Sequence, residues 1–431
     1  MSRLTTPATT SSRDMGRREF IVLISMLMAL TALAIDMMLP AFGQMRAEFG
    51  LDPDSNAVAP VVTVFFVGFG LGQLLWGPLS DALGRKRILW VGLSIYALSA
   101  IAAAFVPTLS ALLMLRFVGG LGAAAIRIVT QGAIRDRYRG DQMAKVLSYI
   151  MAVFLLVPMV APSIGAAVLI VGDWQWVFAF FAGAAMLMAL WATRLPETLP
   201  PERRIPLRLP RLLMAARMVV SSRFAMGFML AQMVLFGWFA SYLASTQLIV
   251  DDVFGLGQWF PLIFGGASLM LGTAMLFNPR FIDRFGLRRM VRYALVGYLA
   301  ATLTFAGVAI VSAGHPPFWL YLVTILPILV AHSFAMPNVN SAAMMPMGRL
   351  AGTAAAIIGA VATLGGALIG ALIDAAYNGT VIPFAVSGVL VCVAAILLSR
   401  WSDAVWQRDA DRELTSAEVA AAAVTAPVEV A

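Results

Sequence analysis

The chain has 431 residues, 61% of them hydrophobic and 12% charged, with a mean hydropathy of +0.88. Soluble domains are nearer to about half apolar and about a quarter charged, and single cores stop growing near about 250–300 residues, so one enlarged soluble core is excluded. The net charge of +8 would suit nucleic acid, but 27 of the 30 basic residues lie in alternate gaps between apolar blocks, which assigns them to one face of a bilayer and excludes a nucleic-acid partner.

The apolar blocks run to about 20 residues, enough to cross about 30 Å of hydrocarbon. They do not alternate polar with apolar residues as barrel strands would, so they read as helices. In chain order, spans are predicted over residues 18–40, 57–79, 88–106, 109–131, 145–170 and 174–194. After a break they resume over 223–248, 258–280, 290–312, 318–340, 350–374 and 380–401. Arg17 and Arg18 precede the first block as in a signal peptide, but the run from Phe20 to Pro40 exceeds a signal core and no A-x-A site follows, so it is read as a retained span.

The break over 195–222 holds Pro196, Pro200, Pro201, Pro206 and Pro210, which disfavour a continuous helix. It is expected to be a cytoplasmic linker between a six-helix half (18–194) and a second (223–401). The tails over 1–17 and 402–431 are polar or Ala-rich and are expected to be disordered and cytoplasmic. The outward loops carry only Arg46, against clusters such as Arg85, Lys86 and Arg87 on the other face. That asymmetry puts both termini in the cytoplasm.

A charge inside a span is costly unless it is paired or faces water. Asp36 lies about 24–27 Å up the first span and Arg116 about 10 Å from the outer edge of the fourth, at 1.5 Å per residue. Similar depth predicts an Asp36–Arg116 pair, whose protonation would couple a proton to substrate movement. Two plainer readings stay open: a purely structural pair, or Asp36 reaching the outer surface near Pro40. Arg127 follows Arg116 by eleven residues, on nearly the same helical face. It is read either as a substrate or gate contact favouring anionic or zwitterionic groups, or as a side chain reaching the inner phosphates.

Further cavity candidates are Gln232, Trp238, Tyr242 and Ser245 in the seventh span and His332, Asn338 and Asn340 in the tenth. Each alternatively bridges helices. Asp374, near the end of the eleventh span, is expected at the interface. Gly68 with Gly72, and Gly366 with Gly370, read as close-packing faces.

The loop Gly77-Pro-Leu-Ser-Asp81-Ala-Leu-Gly84-Arg85-Lys86-Arg87 returns 202 residues later around Asp283, Gly286 and Arg289. Two parallel halves of six spans are one transporter plan. The same loop resembles the signature between the second and third spans of the major facilitator superfamily. Leu115-Arg116-Phe-Val-Gly119-Gly120-Leu-Gly122 resembles that family's fourth-span signature, with Gly119 where Gln is usual. Pro158-x3-Pro162-Ser-Ile-Gly165 partly resembles its proton-antiporter motif. Leu33-Ala-Ile-Asp36-Met-Met-Leu-Pro40 and Phe236-Gly-Trp238-Phe-Ala-Ser-Tyr242 are similar to its Bcr/CflA branch of drug exporters.

The resemblance implies an all-α fold of twelve spans, two six-helix halves around a central cavity. It implies a monomeric, proton-coupled exporter of amphiphilic small molecules in the bacterial inner membrane. Gly77, Asp81, Gly84 and Arg85, with Asp136, would form a conformational latch. Two other functions remain open: a transporter dedicated to one metabolite, and a membrane receptor or scaffold that transports nothing.

Enzymatic readings find little support. Lys86 and Lys145 are followed by Arg87 and Val146, so no Walker A loop exists. His315, His332 and Cys392 are too few and too separated for a zinc set, and one cysteine makes no internal disulfide. Neither metal nor cofactor is expected.

Overall fold

A computed structural model of the chain describes residues 15–52, 56–207 and 209–425. Its first helix, α1 (Arg17–Asp36), is apolar between Phe20 and Ile35 apart from Ser25 and Thr31, and ends where Met37 and Met38 turn into a short 3₁₀ segment at Leu39–Ala41. Pro40 sits in the first turn of that segment, where its missing N–H costs nothing. A short α2 (Phe42–Glu48) closes this end of the molecule.

The first half continues with α3 (Pro60–Leu83), α4 (Arg85–Ala103), α5 (Leu109–Arg137), α6 (Gly140–Val171) and α7 (Gln175–Ala192). After the linker come α8 (Leu209–Ser221), α9 (Arg223–Leu248), α10 (Phe260–Phe285), α11 (Leu287–Val311), α12 (Phe318–Met344), α13 (Ala351–Ala375) and α14 (Ile382–Thr425). Twelve helical stretches are long and apolar enough to cross a membrane, six before the linker and six after it. Thr108 and Ser222 cap their helices by accepting from Ala111 and Ala225 N–H groups.

Small residues let these helices approach closely. A Cβ on Gly68 or Gly120 would collide with the facing backbone of α5 or α3, and one on Gly366 or Gly370 would crowd α9. The expected close-packing faces therefore exist, each inside one half. The halves meet where α3 runs along α13 and α6 along α10.

Within the linker α8 forms over Leu209–Ser221, with Pro210 in its first turn, where proline is tolerated. One expectation needs correction. The tail after residue 401 is helical to Thr425 rather than disordered, as an unbroken continuation of α14. The expected disorder of the N-terminal tail concerns residues 1–14, which lie outside the described residues.

The internal repeat is visible in the backbone. Gly84 (φ +98°) ends α3 and starts α4, and Gly286 (φ +78°) ends α10 and starts α11. Both adopt a conformation open essentially to glycine alone, so the matched glycines mark matched corners.

Candidate functional site

Asp36 is the last residue of α1, only 4% exposed. The C-terminal end of a helix inside a membrane is a costly place for negative charge. Among the described residues no cation pairs with it. The 3₁₀ segment that follows it, Leu39–Ala41, packs against α9 of the second half.

The expected pair with Arg116 does not form. Arg116 points the other way, into the packing of the first half, where Nη2 donates to the Ala34 carbonyl at 2.9 Å and Nε to the Val61 carbonyl at 3.1 Å. Ala34 lies among the final four residues of α1, whose carbonyls lack helical partners. The guanidinium thus caps α1 while lying 4.3 Å from the Phe65 ring centroid. Matching depth placed the two charges level. It could not say that Arg116 reaches a carbonyl on the face of α1 turned away from the carboxyl.

Arg127 is half-buried, and its guanidinium lies 5.8 Å from the Phe69 ring centroid in a cation–π contact. No described carboxylate pairs with it.

The second-half candidates divide. Trp238 is fully buried, donates to the Phe384 carbonyl at 3.3 Å and stacks on the Phe384 ring. His332 stacks on Phe239 and meets the Tyr298 hydroxyl at 3.3 Å. Asn338 exchanges hydrogen bonds with Asn278, tying α12 to α10. The polar groups of these three bridge helices, which is the alternative reading of each. Tyr242 stacks on Trp238, Phe239 and Phe264, while Gln232 keeps its Oε1 buried without a partner and so remains open to a ligand.

Asp374, at the end of α13, is only 7% exposed, and its Oδ1 accepts from Ser241 at 2.5 Å and Ser245 at 2.7 Å.

At the opposite end the loop residues converge as expected. Arg85 pairs with Asp81 at 2.7 Å and with Asp136 at 3.0 Å, and its Nη1 donates to Ser80 at 2.6 Å. Glu197 completes the cluster. Its two carboxylate oxygens accept from the Arg85 and Lys86 N–H groups at 2.9 and 3.2 Å, capping α4. Sequence reasoning missed Glu197, since nothing in the proline-rich linker marks it as the cap of a helix 112 residues earlier. All these polar contacts stay within the first half and the linker. Gly77 is the loop residue nearest the second half, with an added Cβ 3.8 Å from Ala356 of α13.

A family profile described as Major Facilitator Superfamily matches residues 24–370. A bicyclomycin resistance protein homolog of Haemophilus influenzae is 28% identical over 366 residues, covering 84% of this chain and 91% of that protein. Multidrug resistance protein D of Escherichia coli is 26% identical over 366 residues, covering 82% and 88%. Among solved structures, the xylose transporter XylE of E. coli in a partially occluded inward-open conformation superposes with a TM-score of 0.69 at 14% identity, over 88% of this chain and 97% of that one.

Proposed function

Because this chain belongs to the major facilitator superfamily, we propose that it is a proton-coupled secondary transporter that exports amphiphilic small molecules from the bacterial cytoplasm. The drug-resistance names of its relatives support the substrate class. The carrying observation is Asp36, a buried carboxyl with no cation partner among the described residues, at the end of α1 just before the short segment Leu39–Ala41 that packs on α9 of the other half. A lone titratable group inside a membrane is a proton site by default, because only protonation or access to water removes the cost of its charge.

In this reading residues 18–194 and 223–401 rock against one another, and the basic loops hold both termini in the cytoplasm. Protonation and substrate compete for the Asp36 side of the cavity, while Arg127 and Gln232 offer polar contacts to the cargo. Arg116 holds the end of α1 so that Asp36 keeps its direction. The loop cluster around Arg85 stabilises one of the two arrangements.

The test is transport in everted membrane vesicles. Wild type accumulates ethidium when a pH gradient is imposed, and Asp36→Asn still binds ethidium but loses accumulation driven by the gradient. Unchanged exchange of proton for drug by Asp36→Asn would remove Asp36 from coupling. A wild type that moves no compound at all would favour the receptor or scaffold.

A further inference from the structure

The outer ends of the two halves meet at a single polar junction. Arg46 of α2, the only basic residue of the outward loops, clasps Asp252 with two hydrogen bonds of 2.9 Å. The Tyr377 hydroxyl donates to the same carboxylate at 3.3 Å. Asp374 lies near the end of α13, three residues before Tyr377, and is buried. Its Oδ1 takes the two α9 hydroxyls of Ser241 and Ser245, while its Oδ2 is buried and has no hydrogen-bond partner. Asn56, just ahead of α3, reaches across from the first half. Its Nδ2 donates to the Asp374 carbonyl at 2.9 Å and lies 3.4 Å from Ser245 Oγ.

Nothing charged balances this carboxyl. The groups facing it are Ser241 and Ser245 from α9 and Asn56 from the other half. Among the described ion pairs of this end, Arg46 is engaged by Asp252 and none reaches the Asp374 carboxyl. Two donated hydrogen bonds cover one oxygen. The second oxygen would carry negative charge away from water with nothing to answer it, which is costly. A proton on that oxygen removes the conflict.

We propose that Asp374 is a second proton-binding group, which takes a proton from the outer solution as the outer ends of the halves close over it and returns it when they part. This rests on the proton-coupled reading above. It adds a carboxyl on the second half to the one on the first, tied to the outer closure rather than to the cargo. Closing strips water from the carboxyl and favours its neutral form; parting restores water and permits ionisation. By linkage, acid then favours the closed outer face.

Hydrogen exchange on purified protein in lipid nanodiscs tests this without a substrate. In wild type, corrected protection of residues 42–52 and 249–258 falls as pH rises, by at most about tenfold per pH unit for one proton. Asp374→Asn, permanently neutral, keeps these segments protected at every pH. Ser241→Ala, which loses a donor to the ionised form, moves the midpoint to higher pH. Wild-type pH dependence in Asp374→Asn would overturn the proposal. So would protection that follows sodium at fixed pH, which would make the oxygens a metal-cation site. Failure of the exporter reading appears separately, as wild-type vesicles that move no ethidium.

Discussion

The two helix corners 202 residues apart share a backbone but not a chemistry. At Gly84 and Gly286 the chain makes the same turn with the same conformation. At the first corner Arg85 is nearly buried and meets Asp81, Asp136 and Ser80, with Glu197 of the linker capping the helix. At the second, Arg288 is about one-third exposed and bonds Asp403 alone among its described ion pairs, at 2.8 Å. The contrast teaches that two corners of the same shape can differ in the charge they gather: among the described contacts, the linker's Glu197 caps the helix only at the first.

Substitutions sharpen the contrast, read as thermal unfolding in detergent. Arg85→Ala has the largest effect, about 3 kcal/mol, because it strands Asp136 and Asp81 without their shared cation. Gly84→Ala follows. Its backbone conformation alone costs about 1–3 kcal/mol, and the new Cβ would lie 2.5 Å from Glu197 Oε2, disturbing the cap as well. Gly286→Ala has open space around it and pays only the backbone strain, so it should be milder than Gly84→Ala. Arg288→Ala is smallest, about 0.2–1 kcal/mol, as for a solvent-screened pair. Equal losses at the two corners would break the comparison.

Much of this was legible in the sequence. Helices were readable from apolar blocks of membrane length, and the first corner from Asp81, Gly84 and Arg85 at fixed spacing. What sequence lacks is rotation and long-range company. Rise per residue set Asp36 and Arg116 level, yet the direction of Arg116 follows from how α1, α3 and α5 pack, which puts an unsatisfied carbonyl within its reach. Asp374 looked interfacial because it ends a helix. It is buried because Asn56, 318 residues earlier in the chain, covers it from the other half. Glu197 sits among prolines that suggested only a spacer.

The stitching of the linker also sets a mechanical limit. Ile205 N–H bonds the Asp81 carbonyl at 3.0 Å, so the chain is fastened to the first half up to that point. The helix α8, which rests on α9 and α13, starts at Leu209. Only four Cα steps separate the two anchorages, at most about 13–14 Å when drawn taut. With both anchorages held, this leash caps the stroke by which the two bodies can separate on that face, whatever drives them.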